Sequence, residues 1–173
     1  MAVEQYAVDA DVFRAVMRRH AAGVVIVTAP GDPPVGFTAT SFTSVSLDPP
    51  LVSCCVSHAA SVWPTIEQAD AVAVHLLTAE QDEVARLFAA RGVDRCAQVA
   101  WRRGPGGVPL LSDALAVLAC RVVERIAIGD HAIVIAEAIH AEYDPESSRE
   151  PLVYHAGRYR ALAEVQCGAP GSR

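Results

Sequence analysis

Between residues 9 and 20 the apolar positions recur every three to four residues. Phe13, Val16, Met17 and His20 fall at i, i+3, i+4 and i+7, which predicts an amphipathic helix. Asp9 or Asp11 is placed to cap it, Arg18 and Arg19 stand in its last turn, and Gly23 marks its stop. The pattern then changes. VVIVTA (24–29) is the apolar run of a buried strand, PGDPP (30–34) a turn, and 35–46 a long strand or strand pair. LDPP turns the chain again before a further strand at 51–56. Ser61 is expected to open a short helix that holds Trp63, Pro64 and Ile66, and AVAVHLL (71–77) reads as a strand. Thr78 and Gln81 form a T-x-x-Q capping box for a helix over 79–90 whose apolar face is Val84, Leu87 and Phe88.

Residues 92–109 are rich in glycine, proline and arginine and predict a long surface loop. Two long strands follow, 114–128 and 131–143, joined at Gly129–Asp130, a strong hairpin signal. A last hairpin over 151–162 turns at Ala156–Gly157. One domain is expected over 1–163, with 164–173 a loose tail. The sum is six to eight mostly antiparallel strands with two or three short helices at the edges. Because the late strands lack intervening helices, a mainly β fold built as a small closed barrel is favoured over a doubly wound sheet.

Composition narrows the function. A chain of 173 residues buries roughly 70% of its unfolded surface and needs no staple. A hydrophobic content of 52% and a mean hydropathy of +0.27 leave apolar surface to spare, which points to an oligomer. The net charge of −6, without a Lys/Arg stripe, argues against nucleic acid. The longest apolar runs fall far short of the roughly 20 residues of a membrane helix. The acidic N-terminus, without a basic region, does not read as a signal peptide. Cysteines 54, 55, 96, 120 and 167 are odd in number and show no C-x-x-C spacing, so reduced thiols in a cytoplasm are expected.

Several catalytic signatures are missing. The nearest approach to G-x-G-x-x-G, beginning at Gly104, puts Pro109 where the third glycine belongs. There is no phosphate loop, no H-E-x-x-H, no metal-ligand spacing among the histidines and no G-x-S-x-G elbow. Glu137 is the one acid set inside a long apolar strand, and a lone strand glutamate usually faces solvent. With no evident acid–base pair or nucleophile, an enzyme of this sequence needs a bound cofactor to carry its chemistry.

The segment GFTATSFTSVSLDPPLVSCCVS (36–57) concentrates small hydroxyl residues, and Asp48 is the only formal charge between Pro33 and Ile66. Backbone amides and small hydroxyls suit a flat ligand with a polar edge, such as a flavin, and Ala39, Ser41 and Cys55 would let a ring come close to the main chain. An exposed antiparallel strand, in which Thr and Ser are common through β-propensity, gives the same pattern.

Together, GVVIVTAP, GFTATSFTSVSLDPPLVSCCV, ASVWPTIEQADAVAVHLLTAEQDEVARLFA, GDHAIVIAEA and PLVYHAGRYRAL resemble the flavin reductase-like domain family, in order and spacing, from Phe13 to Leu162. The resemblance implies a split β-barrel of Greek-key antiparallel strands with short peripheral helices, and a homodimer with active sites near the subunit interface. It implies an NAD(P)H-dependent flavin reductase that moves a hydride from NADH (NADPH being less favoured) to FAD or FMN. The reduced flavin then diffuses to a partner flavin-dependent monooxygenase.

Carried over by position, the resemblance places Thr38, Ala39, Thr40 and Ser41 along the flavin. Cys55, Val56 and Ser57 border it, and Ser61 stands at a helix start whose amides suit a phosphate. It matches Arg95 to a cation near the flavin phosphates, makes His131 of the Gly-Asp-His turn the residue beside the nicotinamide, and lays Tyr154, His155 and Arg158 along NADH. His75 stands where the family usually has Asn, and Cys96 where it has an aromatic. Other readings of the same barrel are an oxidase that retains FMN, a non-catalytic flavin- or haem-binding module, and a ligand-free dimerisation domain.

Overall fold

The computed structural model describes residues 8–162. The chain runs through α1 (Ala10–Met17), β1 (Ala22–Gly23), β2 (Val25–Ala29), β3 (Val35–Ala39), β4 (Thr43–Leu47) and β5 (Pro50–Ser57). It continues through α2 (Trp63–Gln68), β6 (Ala71–Leu76), α3 (Asp82–Ala89), β7 (Trp101–Arg103) and β8 (Pro109–Leu111). The long pair β9 (Ala116–Ile128) and β10 (His131–Tyr143) follows, then β11 (Val153–His155) and β12 (Arg158–Arg160). The expected tail 164–173, with Cys167, lies outside the described residues.

Seven strands form one antiparallel sheet in the order β3-β2-β6-β9-β10-β5-β4. Its ends are brought together. The Ser41 hydroxyl, on the link from β3 to β4, accepts from the Cys55 amide of β5 at 2.9 Å. One apolar cluster draws inward-facing residues from both flanks, Val25, Val27 and Ala39 with Val52, Cys54, Val56, Val134 and Ala136, so the sheet is curled around its core as a barrel. β5, the strand expected at 51–56, alternates with a period of two, with Val52, Cys54 and Val56 inside. β9 and β10 pair along their whole length, with register shifts at Ile135/Ala136 and Ala138/His140 that help the sheet to bend. The closing hairpin turns where Ala156 (φ 51°) and Gly157 (φ 80°) both take the left-handed conformation, the pattern of a two-residue type I′ turn.

Four expectations need correcting. The first helix is capped by Asp9, whose Oδ1 accepts from the Asp11 amide at 2.8 Å, but it ends at Met17. His20 lies beyond the helix in a turn, and Gly23 is a strand residue opposite Val153 rather than a helix stop. Second, its apolar side chains Val12, Phe13, Val16 and Met17 are exposed, since nothing among the described residues packs over them. Third, the Thr78–Gln81 box is present, but it caps a 3-10 turn (Ala79–Gln81) that leads into α3. Fourth, 92–109 is not all surface loop. β7 and β8 form a hairpin, and Val108, with Leu110 just beyond the segment, is buried because the small side chains Ala71, Ala73 and Ala119 leave room. Among the described residues no helix is long and apolar enough to cross a membrane.

α3 lies against β3, where the absence of a side chain at Gly36 decides the fit. A Cβ there would come within 2.6 Å of Phe88 Cε1 and 3.2 Å of Thr28 Cγ2. Gly36→Ala is therefore expected to lower stability by about 1–3 kcal/mol through overpacking, measured by denaturant unfolding.

Candidate functional site

Two clefts flank the segment 38–41. The first, about 460 Å³, is lined by Thr38 of β3, Cys55, Val56 and Ser57 of β5, Ser61 ahead of α2, Arg95 after α3 and His131 of β10. Sequence reasoning named all seven. The second, about 480 Å³, holds Thr40, Ser41 and Tyr154 beside Arg14, Arg18 and His20 at the end of α1. Neither takes in Ala39, His155 or Arg158. The Ala39 side chain is in the core, so only its backbone can meet a ligand. His155 and Arg158 pair across the closing hairpin, half-buried and exposed respectively.

Topology gathers the first cleft. β3 ends the seven-stranded sheet, so its outer edge carries backbone groups that no strand pairs. The other wall is β5, held in register with β10 so that Ser57 stands opposite His131. Phe37, Val56, Val62 and Phe88 give the cleft apolar surface, and Thr38, Ser57 and Ser61 give it hydroxyls. The Thr38 hydroxyl donates to the Ala85 carbonyl of α3 at 2.6 Å, which fixes the helix to the strand.

Ser41 is committed to the barrel seam. It accepts from the Cys55 amide and directs its own proton to the Cys55 carbonyl at 3.4 Å. Ser61 does not cap α2. Val62 holds the cap position, and the Trp63 and Thr65 amides donate to the Ala60 and Val62 carbonyls. The short helix therefore lacks most of the free amides expected for an anion.

The charges in the cleft are one-sided. Two arginines line it and no carboxylate does, on a chain whose net charge is −6. Arg95 donates from Nε to the Ala90 carbonyl at 3.0 Å and from Nη1 to the Gly36 carbonyl at 2.9 Å, with Nη2 also on Ala90. Arg91 is the residue that sequence reasoning missed. Its only signal there was an Arg-Gly pair at a helix end. His131 donates from Nδ1 to the Asp130 carboxylate at 2.7 Å, which leaves Nε2 available; the same bond holds the Asp130 carboxyl below its usual range.

Thiol chemistry has little support. Burial pushes Cys54 up to about 12 and Cys120 up to about 11, so both stay protonated at neutral pH. Among the described residues no group of His, Cys, Asp and Glu is placed to hold a metal ion.

His75 is also accounted for. It is fully buried, with Nδ1 donating to the Ile26 carbonyl (3.1 Å) and Nε2 accepting from the Leu111 amide (3.0 Å). It joins the barrel sheet to the β7–β8 hairpin and lies outside both clefts.

Residues 17–163 match the family described as flavin reductase like domain. An NADH:FMN oxidoreductase of Rhodococcus qingshengii is 42% identical over 151 residues, covering 85% of this chain and 79% of that one. The reductase subunit of a flavin-dependent monooxygenase from Mycobacterium tuberculosis is 32% identical over 156 residues, covering 90% and 83%. The solved structure of a Streptomyces globisporus NADH:FAD oxidoreductase, in complex with NAD and FAD fragments, aligns with a TM-score of 0.84 at 39% identity. That alignment covers 91% of this chain and 96% of the other.

Proposed function

The chain belongs to the flavin reductase like domain family, and we propose that it oxidises NADH, reduces FAD or FMN, and releases the reduced flavin to a separate flavin-dependent monooxygenase. One observation supports this above the others: side chains from five separate segments meet in one cleft that is apolar in part, edged with hydroxyls and backbone groups, and positive without a carboxylate. A flat, uncharged ring system with an anionic tail fits that donor set. A metal or an acyl-transfer site does not.

When bound, the flavin supplies the hydride acceptor and the nicotinamide the donor. The protein's task is to hold the two rings together, and such positioning accounts for most of the catalysis expected without an acid–base pair. In this reading Thr38 and the outer edge of β3, with Cys55, Val56 and Ser57, border the flavin ring. Phe37, Val62 and Phe88 keep water from it. Asp130 fixes the tautomer of His131, whose free Nε2 would hold the carboxamide of the nicotinamide. Tyr154, packed on Tyr159 at 5.2 Å and set in the second cleft with Thr40 and Ser41, borders the rest of the dinucleotide; His155 and Arg158 stand on the same hairpin.

The working unit is a homodimer. Phe13 and Val16 of α1, Leu47 of β4, and Ile126 and Ile128 of β9 are exposed, and these are the apolar side chains that such an interface would cover. Sedimentation equilibrium should find a dimer at micromolar concentration, and a monomer there would overturn that part. With Cys54, Cys55, Cys96 and Cys120 free, a reducing cytoplasm is the compartment proposed.

The test of function is NADH consumption by the purified protein with FAD, FMN or riboflavin added in turn. Multiple turnovers of free flavin are expected. Failure with every flavin, with NADPH as well as NADH, would leave a binding module or an oxidase.

A further inference from the structure

Arg125 of β9 is half-buried, lines neither cleft, and pairs with no carboxylate among the described residues. Its charge goes instead to the end of α2. Nε donates to the Ile66 carbonyl at 2.9 Å, and Nη2 donates to the Ala69 carbonyl. A helix end leaves its last carbonyls without partners and carries partial negative charge, so a guanidinium answers both. α2 has six residues, too few to hold its shape and place alone. The chain just before it, from Ala59 to Val62, is one wall of the first cleft. That wall is tied to the Gly129–Asp130 turn at its near end, where the His58 amide donates to the Asp130 carbonyl at 3.0 Å. Arg125 makes the tie at the far end. It stands on β9 opposite Val134 of β10, the strand that begins at His131. One guanidinium therefore joins the helix behind the wall to the strand pair that carries His131. The Ile66 side chain keeps α2 on the barrel core, so loss of Arg125 shifts the helix without freeing it.

From this arrangement we propose that Arg125 is a positioning residue: through α2 it sets the wall 59–62, and so the seat of the flavin ring relative to His131. The proposal rests on the reading of the first cleft as the flavin site. Arg125 itself touches neither ring. Hydride transfer needs the two rings about 3–3.5 Å apart, and a misplacement of about 1 Å costs roughly 100-fold in rate. β9 and β10 pair along their whole length, so the side that gives way without Arg125 is the helix. The flavin seat then moves while the His131 side stays. Lysine at this position would keep a charge for the helix end but lose the fork that meets two carbonyls at once.

The experiment compares wild type, Arg125→Gln, Arg125→Lys and Arg149→Gln by riboflavin fluorescence quenching, steady-state NADH oxidation with FMN, and melting temperature. Arg149 is the control. It clamps two carbonyls in the same manner, those of Asp113 (2.9 Å) and Ala114 (3.3 Å), and lines neither cleft. Arg125→Gln should weaken riboflavin binding about tenfold and lower kcat about 10- to 100-fold, with the KM for NADH within about twofold of wild type. That split is the reverse of the one expected on loss of the His131 side chain. Arg125→Lys should recover part of both losses, and where Arg125→Gln does not fold it must show the same split in weaker form. Arg149→Gln should melt earlier, yet bind riboflavin and turn over as wild type does. Unchanged riboflavin affinity and kcat in Arg125→Gln, or equal losses in Arg149→Gln, would overturn the proposal. So would an Arg125→Lys variant no better than Arg125→Gln. A wild type that binds no riboflavin would overturn it together with the flavin-site reading. If wild type binds riboflavin but oxidises no NADH with any flavin, the reductase reading fails, and a tenfold loss of riboflavin affinity in Arg125→Gln still upholds the role of Arg125 in the seat of the ring.

Discussion

Alanine at position 75 is expected to lower the unfolding free energy by about 3–5 kcal/mol, in the range that threatens folding of a domain this size. His75 is fully buried and satisfies two backbone groups on different elements, the Ile26 carbonyl on β2 and the Leu111 amide on β8. Truncation leaves both groups without partners, at about 1–3 kcal/mol each, and opens a cavity. Asparagine, which carries one donor and one acceptor, should recover part of the loss. Guanidinium unfolding of the three proteins at neutral pH measures the order wild type, Asn, Ala.

The same residue makes stability depend on acid. Burial lowers the His75 pKa from 6.5 to about 4. Below pH 6.5 the unfolded chain takes up a proton at this position that the folded chain refuses until about pH 4. Stability therefore holds above pH 6.5 and falls as the pH drops, by about 3 kcal/mol for this group once pH 4 is reached. Asparagine does not titrate, so the Asn variant should show a flatter decline between pH 6.5 and 4, although it starts lower. Parallel curves for the two proteins would show that His75 is not the titrating group.

Alanine at position 131 is the second large effect expected, this time on turnover. In the proposed role of His131, loss of its Nε2 should raise the KM for NADH roughly 10- to 100-fold, the worth of one hydrogen bond to a polar amide in a partly desolvated site, with a small change in kcat and in flavin affinity. Glutamine at the same position should restore part of the loss, because its amide can reach as Nε2 does. Asp130→Asn should produce a milder form of the same defect, since it weakens the bond that fixes the His131 tautomer. Steady-state kinetics at saturating FMN separates the two constants. Equal loss of NADH and flavin affinity would place His131 against both rings instead.

The parts of the fold legible in the sequence were those with local causes. The hairpin turns at Gly129–Asp130 and Ala156–Gly157 follow from turn chemistry within a few residues, as the strand at 51–56 follows from its run of β-forming residues. The capping box at Thr78 is likewise a four-residue event. The resemblance, resting on five segments in order, placed seven residues that do line one cleft, because the order of the strands fixes where their ends meet.

What the tertiary structure decided were matters of partnership. Periodicity showed that α1 has an apolar face, but could not show that this face would find no cover among the described residues. Composition made 92–109 a loop, yet Val108 is buried, because the small side chains that receive it stand on β6 and β9. The sequence likewise displayed Arg91 and Arg95 as similar loop charges. Only the folded chain brought the Ala90 and Gly36 carbonyls within reach of one and left the other facing the cleft. A residue's chemistry is written in the sequence, but its occupation depends on which distant atoms packing sets within about 3 Å of it.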